Sequence, residues 1–323
     1  MEKVRWGFIG AGMVATKALY PALMNSEVGE IYAVASRNIE RAKKLSPKGL
    51  VYSDYQSLLE DKNVEAIYIC LPNSLHIPWS IKALQAGKHV LCEKPLALNA
   101  AEVRRAIAVH DQADTLFMEA SWNRWHPRTM RIKDLVDSGV IGELKSIRTA
   151  FTYDGLSSDN IRVFPEMGGG ALYDLGPYSV AAPLWLMDFA PHKDVRTQVK
   201  WYGTGTDETV RTTFKIGIVQ VDALTSINMP SMQYFEIQGE NGSVVIRGND
   251  AFSSHNKPST LEVAIAGKKK KENFSACDPY QLMVDAFSLR VRGREGWLMP
   301  LSESLAFAEF FDGIFASMGK SSI

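Results

Sequence analysis

Two short stretches of this chain carry the residue types that proton transfer needs. Glu93-Lys94-Pro95 follows the apolar run Val90 to Cys92. An acid and a base at the mouth of a buried strand are costly unless they are paired or used. A lysine there can donate to a substrate oxygen, lower a neighbour's pKa or contact a ribose. The second stretch is Gly168-Gly169-Gly170-Ala171-Leu172-Tyr173-Asp174-Leu175-Gly176-Pro177-Tyr178. Asp174 and Tyr178 are four residues apart, so a helix puts them on one face. A run of glycines lets backbone approach a bound molecule closely. A tyrosine beside an ammonium can give or take a proton, because the positive charge favours the phenolate. Each residue also has a plainer reading. Lys94 fits a surface loop, Tyr178 a packed helix aromatic, and Asp174 an acid serving a helix dipole.

A third stretch points to a nucleotide. Gly10-Ala11-Gly12-Met13-Val14-Ala15 is a G-x-G-x-x-A that follows a strand-like run and opens a helix-like one. Gly10 suits a tight turn, Gly12 lets backbone approach a pyrophosphate, and Ala15 allows close helix–strand packing. The next strand ends in Ala35-Ser36-Arg37-Asn38, with no acid to hold a ribose 2′-hydroxyl. Arg37 can pair with a 2′-phosphate and Ser36 can donate to it, which favours NADP over NAD. Leu71-Pro72-Asn73-Ser74-Leu75-His76 ends another strand at the same rim, where open α/β sheets bind ligands. Asn73 is placed to face the cofactor there; His76 serves either the helix start or the cofactor.

These residues need a scaffold, and the first third of the chain supplies one. Strand-like runs at Val4–Ile9, 31–35, 66–71, 89–92 and 115–118 alternate with helix-like runs at 13–24, 39–45, 76–86 and 100–112. Asn38 and Asn99 are placed as helix caps, with Glu102 at the capping-box position. The alternation means βαβ units and a parallel sheet. After Asn123 the rhythm changes. A helix at 128–138 is followed by strand-like stretches at 144–153, 195–203, 208–216, 219–229, 234–238 and 243–247, punctuated by short turns. These suggest an antiparallel sheet. Helices at 280–292 and 302–317 close the chain. The run Lys268–Lys271 is expected at a solvated hairpin tip.

Composition narrows the class of function. The chain has 323 residues, suited to two domains, with 46% apolar and 22% charged residues. Lys plus Arg and Asp plus Glu both number 36, which gives no support to nucleic-acid binding or electrostatic membrane docking. Cys70, Cys92 and Cys277 make no disulfide framework. With no apolar stretch long enough to span a membrane and no signal-like N-terminus, a cytoplasmic protein is expected. The six histidines lie at 76, 89, 110, 126, 192 and 255 with no pair at metal-ligand spacing, so no metal is expected.

Taken together the residues resemble the Gfo/Idh/MocA oxidoreductase family, named for glucose–fructose oxidoreductase and inositol dehydrogenase. The matching blocks are GFIGAGMVA, LPNSLH, AGKHVLCEKPLALNAAEV, MEASWNRWHP, SGVIGEL and GGGALYDLGPYSV, from residue 7 to residue 180. MEASWNRWHP and an Asp with Tyr four residues later are similar to the dimeric dihydrodiol dehydrogenase and D-xylose dehydrogenase branch, which is NADP-linked. The resemblance implies an α/β chain: an N-terminal Rossmann domain with a parallel sheet, then an α+β domain with an open, mostly antiparallel sheet. The division is expected at 1–122 and 123–323. The sheet face is expected to form a homodimer or homotetramer. The family's glutamate-lysine-proline motif falls on Glu93, Lys94 and Pro95, with the lysine catalytic or cofactor-contacting and the peptide before the proline often cis. Its aspartate falls on Asp174. Tyr178 takes the position that is histidine in inositol dehydrogenase-like members, and Pro177 replaces the aliphatic residue common before it. Trp122 and Arg124 fall on a segment lining the nicotinamide and substrate site, and Arg162 on a segment beside the substrate.

The expected activity is hydride transfer between NADP and a secondary alcohol or hemiacetal carbon of a sugar, polyol or trans-dihydrodiol. Tyr178 takes the hydroxyl proton, Lys94 lowers the tyrosine pKa, and Asp174 orients substrate or lysine. Lys94 is expected to meet Tyr178 and Asp174 across a domain cleft. Gly10, Ala11, Gly12, Met13, Val14, Ser36, Arg37, Leu71, Pro72, Asn73, His76, Glu93, Lys94, Trp122 and Arg124 are the candidate cofactor contacts. Trp122 and Trp125 can stack on a sugar or diol ring. The alternative is a dinucleotide-binding regulator without turnover, which a lost lysine would favour; Lys94 is present.

Overall fold

A computed structural model describes residues 2–248 and 250–319. It divides into two compact units. One holds the chain up to Trp122 together with Asp278–Leu305; the other holds Asn123–Cys277 and the chain from Ala306 on.

The first unit follows the expected alternation: β1 (Val4–Ile9), α1 (Tyr20–Asn25), β2 (Gly29–Ala35), α2 (Ile39–Lys43), β3 (Val51–Tyr52), α3 (Tyr55–Glu60), β4 (Ala66–Ile69), α4 (His76–Gln85), β5 (His89–Cys92), α5 (Ala100–His110) and β6 (Phe117–Glu119). The strands form one sheet in the order β3-β2-β1-β4-β5-β6, every pair parallel. Both faces of such a sheet are covered, and β4 is accordingly AIYI with all four residues buried. The order reverses between β1 and β4, which places the ligand crevice at the carboxyl ends of those strands.

Local chemistry sets several boundaries. Asn38 and Asn99 accept from the backbone N–H of Arg41 and Glu102, capping α2 and α5. The Glu102 carboxylate reaches back to the Leu98 N–H at 3.1 Å, closing a variant of the capping box one residue earlier than the usual partner. The helical run after the glycine loop is not uniform. Ala15–Leu19 is a π turn, and α1 begins only at Tyr20. Pro21 gives the reason: it lacks an N–H and its ring crowds the carbonyl four residues back, which the wider turn accommodates.

The second unit contains α6 (Pro127–Asp137), β7 (Leu144–Thr152), α7 (Ala171–Ser179), α8 (Ala181–Leu186), β8 (His192–Trp201), β9 (Asp207–Ile216), β10 (Val219–Ser226), β11 (Met232–Gly239), β12 (Gly242–Arg247), β13 (Ser259–Ile265) and β14 (Lys268–Phe274). Its sheet has the order β14-β13-β12-β11-β7-β10-β9-β8. All pairs are antiparallel except β7 with β10. Inward residues such as Val210, Phe214, Val221, Phe235 and Ile237 are buried, while Arg211, Asp222, Arg148 and Glu236 face outward in ion-paired ladders.

Two helices close the chain: α9 (Pro279–Val291) and α10 (Leu301–Ser317), the latter divided between the units after Leu305. A boundary at 122/123 alone would place α9 with the antiparallel sheet. Instead α9 packs on the parallel one. The Trp6 indole donates to the Ser288 hydroxyl at 3.1 Å, and Arg292 forks onto the Glu65 carboxylate at 2.8 and 3.0 Å. Chain order does not reveal this return.

The lysine run also differs from expectation. Lys268–Lys271 is not a hairpin tip but the start of edge strand β14, and its four lysines are exposed. The tip is Ala266-Gly267, both at positive φ, as a two-residue hairpin turn requires. A lysine-rich edge discourages strand addition. The opposite edge, β8, is interrupted between Lys193 and Arg196, with Asp194 at φ 58°.

Candidate functional site

The glycine loop is built as its motif demands. Gly10 has φ 101°, and a Cβ there would lie 2.2 Å from the Cys70 carbonyl oxygen, so no other residue fits. Gly12 is different: a Cβ there would meet nothing closer than the Cys70 sulfur at 3.6 Å. Beside it opens a cavity of about 310 Å³ lined by Ala11, Gly12, Met13, Thr16, Lys17, Arg41 and Lys44. Three of those seven residues are cations: Lys17 on the turn after the loop, Arg41 on α2 and Lys44 at its C-cap. Arg41 and Lys44, three apart, share one helical face. Ser36 is buried and its hydroxyl accepts from the Asn38 N–H at 3.1 Å, while Arg37 is exposed. Neither lines the cavity, nor does Val14 or Gly10. The glycine motif marks the loop but not Lys17, Arg41 and Lys44, for which the basic spacing Arg41, Lys43, Lys44 is the signal in the sequence.

Cys70 and Cys92 are not poised as nucleophiles. Burial pushes the Cys70 thiol up to about 12 and the Cys92 thiol well above its ordinary value.

The segment around Lys94 is gripped by buried side chains. The Lys94–Pro95 peptide is cis. Glu93 is 6% exposed: one carboxylate oxygen accepts from the Tyr68 hydroxyl at 2.6 Å, the other from the Lys94 N–H at 3.3 Å. Burial raises the Tyr68 pKa, so Tyr68 stays a donor. Glu93 is therefore first a brace of the loop. His76 braces it too. Its Nδ1 lies 2.7 Å from the Pro95 carbonyl oxygen and its Nε2 3.0 Å from that of Leu71. A neutral ring donates to only one of them, while burial pulls the His76 pKa down to about 4 against the two carbonyls, which favour the cation. We take the ring as neutral, because desolvation is the larger effect. Both ring nitrogens face backbone, so His76 joins the two loops rather than touching a cofactor. Leu71, Pro72, Asn73 and Lys94 are half-buried at the rim. Trp122 stacks on Tyr280, ring centroids 4.6 Å apart.

In the second unit, α7 is docked on β7 and the residue just past it through three same-face positions. The Thr149 hydroxyl donates to the Ser179 carbonyl at 2.7 Å, the Phe151 ring lies 5.5 Å from that of Tyr178, and the Tyr153 hydroxyl donates to Asp174 at 2.7 Å. From Phe151 to Tyr153 two strand residues span about 6.8 Å, and from Tyr178 to Asp174 four helical residues span about 6 Å, so these two contacts keep step. Asp174 also pairs with Arg162, Nε to Oδ2 at 2.7 Å. That pairing raises the Arg162 pKa, and burial with the Asp174 charge raises that of Tyr153. Arg162, expected beside the substrate, is thus held by Asp174. Tyr153 was not anticipated, though the alternation Thr149, Phe151, Tyr153 marks it. Arg124 lies over the Trp185 ring at 4.5 Å, and Trp125 is buried.

The glycine run before α7 does not make room for a ligand at Gly169 or Gly170. A Cβ on Gly169 would strike the Arg162 and Phe164 carbonyls, and one on Gly170 would lie 2.1 Å from the Asp207 carboxylate. That carboxylate accepts from the Leu172 N–H at 2.6 Å and caps the helix from another strand. Pro177 lies inside α7, which ends at Ser179. Lys94 stands in the first unit; Asp174, Tyr178, Arg124, Trp125 and Arg162 stand in the second. Among the described residues no group of three His, Cys, Asp or Glu is arranged to hold a metal ion, and no helix is long and apolar enough to cross a membrane.

A doubly wound parallel sheet with a glycine loop at its switch point, followed by a mostly antiparallel sheet, is the architecture of a two-unit dinucleotide-binding protein. The match is specific. Residues 4–121 match the Gfo/Idh/MocA oxidoreductase family, NAD-binding Rossmann fold, and residues 129–245 match the Gfo/Idh/MocA C-terminal domain. The chain is 31% identical to D-xylose 1-dehydrogenase (NADP(+)) 2 of Haloferax volcanii, over 97% of this chain and 96% of that one. It is 30% identical to trans-1,2-dihydrobenzene-1,2-diol dehydrogenase of Mus musculus, over 98% and 97%. A 3-ketoreductase from Actinomadura kijaniata, crystallised with NADP and TDP-benzene, superposes with a TM-score of 0.91 at 27% identity, over 98% of both chains. That enzyme has also been solved with a tyrosine changed to phenylalanine and with a lysine changed to alanine. The chain belongs to the Gfo/Idh/MocA oxidoreductase family.

Proposed function

We propose that the chain is an NADP-linked dehydrogenase or reductase that moves hydride to or from a secondary alcohol or hemiacetal carbon of a sugar, polyol or trans-dihydrodiol. The observation that carries the cofactor choice is the cavity at Gly12 with Lys17, Arg41 and Lys44 on its wall. Gly12 leaves a cradle that a Cβ would fill, and the cations suit a doubly charged 2′-phosphate. The strand end offers Ser36 and Arg37 and no acid that would repel it. Gly10, Ala11, Met13 and Val14 complete the loop, and Leu71, Pro72 and Asn73 the rim beside it. The nicotinamide, when bound, accepts or gives the hydride.

The remaining steps are proton transfers by the chain's own residues. Tyr178 takes the hydroxyl proton when the alcohol carbon is oxidised, and returns it in reduction. Lys94 donates to the substrate oxygen and favours the tyrosinate. Asp174 keeps Arg162 and Tyr153 in place and so sets the wall beside Tyr178. Trp122, Trp125 and Arg124 shape the ring-binding side. The D-xylose and dihydrodiol dehydrogenases among the relatives support this substrate range, and the lysine and tyrosine variants of the 3-ketoreductase support attention to the same residue types. The outward face of the antiparallel sheet is proposed to meet a second copy, which sedimentation equilibrium tests.

The decisive experiment is Tyr178→Phe on whichever aldose, inositol or dihydrodiol the wild type turns over. A general acid–base loss lowers kcat by about 100-fold or more, with NADPH affinity within about twofold of wild type. Unchanged turnover removes the tyrosine from the mechanism. A KM for NAD equal to or below that for NADP removes the cofactor choice, and failure to turn over any member of a broad panel favours a dinucleotide-binding regulator.

A further inference from the structure

The two peptide groups that flank the cis Lys94–Pro95 bond are held by three buried side chains. Glu93 takes the Lys94 N–H, His76 lies against the Pro95 carbonyl, and the third grip comes from Glu119, at the end of β6. Glu119 is 3% exposed. Its Oε1 accepts from the Leu96 N–H at 3.1 Å and its Oε2 from the Ser304 hydroxyl. Those two hydrogen bonds do not require a charge. A glutamine could accept from Leu96 and donate to the serine oxygen in the same shape. A buried carboxylate is far more costly than a buried amide. The chain places the costly form against the Leu96 N–H, two residues past its candidate catalytic lysine.

We propose that Glu119 is a positioning residue whose negative charge holds the Lys94 ammonium at the rim for proton transfer, while its two hydrogen bonds tie the Leu96 N–H to the Ser304 hydroxyl. The inference rests on Lys94 acting on the substrate, as proposed above. The groups facing Glu119 are few, and one, the Cys92 thiol opposite it on β5, is kept neutral by burial. The end of β5 brings Lys94, whose charge stabilises the carboxylate, and Glu93, whose charge opposes it; the start of α10 brings Ser304, which stabilises it. Burial outweighs the stabilising contacts and moves Glu119 up to about 7. The charge is therefore present above neutrality and lost as the pH falls through that value, and its pull on the Lys94 ammonium is lost with it. Protonation leaves the hydrogen bonds intact, since the acid still accepts from Leu96 and donates to Ser304.

The test separates charge from shape. In Glu119→Gln, kcat above neutral pH falls about tenfold, NADPH affinity measured by fluorescence stays within about twofold, and the acid limb of the wild-type kcat profile near neutrality disappears. Ser304→Ala removes a donor that stabilises the carboxylate, so the same limb moves to higher pH. Wild-type kcat with an unchanged limb in Glu119→Gln overturns the proposal. If that variant does not fold, an unmoved limb in Ser304→Ala overturns it. A wild type that turns over nothing in the panel overturns the oxidoreductase reading instead, and is distinguishable because no limb exists to move.

Discussion

The chain has two glycine-rich stretches that look alike in one dimension and differ in what fills the space they leave. At residues 10–12 the first glycine is pressed against the Cys70 carbonyl and the second opens onto a basic cavity. At residues 168–170 the space beside Gly169 and Gly170 is taken by the chain itself, by the Arg162 and Phe164 carbonyls and the Asp207 carboxylate. Glycine in a sequence reports that something comes close. It does not say whether that thing is a ligand or another part of the protein. The difference lies in who supplies the anion. Beneath α7 the protein brings its own carboxylate to the helix N-terminus. At the nucleotide loop it brings cations and leaves the anion to a ligand.

The largest effects belong to the two filled positions. Gly10→Ala and Gly170→Ala each place a Cβ about 2 Å from an oxygen at positive φ. Each should lose about 3 kcal/mol or more in urea denaturation, combining backbone strain with overpacking. Wild-type midpoints would mean that the backbone relaxes freely there, and the contrast between filled and open glycines would dissolve. Next comes Gly12→Ala. Stability without cofactor should change by less than about 0.5 kcal/mol, while NADPH affinity drops about tenfold or more, because the new methyl occupies ligand space. The smallest effect is Asp207→Ala, about 1 kcal/mol for the lost cap. In that background Gly170→Ala should cost less than in the wild type, because the nearest clashing atom is gone. A double-mutant cycle with no coupling would show that Asp207 is not what fills the space.

The same contrast explains what was legible in the sequence. Elements came through where a periodic run meets a local stop: β1 and β5 match their expected bounds, and Asn38 and Asn99 cap helices through bonds within three residues. Features fixed by distant partners did not come through. Tyr153, Asp207 and Glu119 owe their roles to residues 21, 35 and 185 positions away. The return of α9 to the parallel sheet depends on Trp6 and Glu65, far earlier in the chain. β3 is only two residues long and leaves little periodicity to read. β14 hid because its lysines look like a loop. For the site, residue types were readable and their neighbours were not: Lys94 and Tyr178 stood out, whereas the braces around them did not.

The guarded rims of the eight-stranded sheet have a consequence for how the protein behaves when crowded. Backbone groups on an unpaired strand are a template that any similar strand can copy without limit. Four lysines on β14 and the break in β8 withdraw that template from both sides. The contact between copies proposed above would then be made by side chains on the broad face, where geometry closes after a fixed number of partners. Concentrated solutions should therefore hold discrete particles of one size rather than fibres, and chemical acetylation of those lysines is the change most apt to undo this.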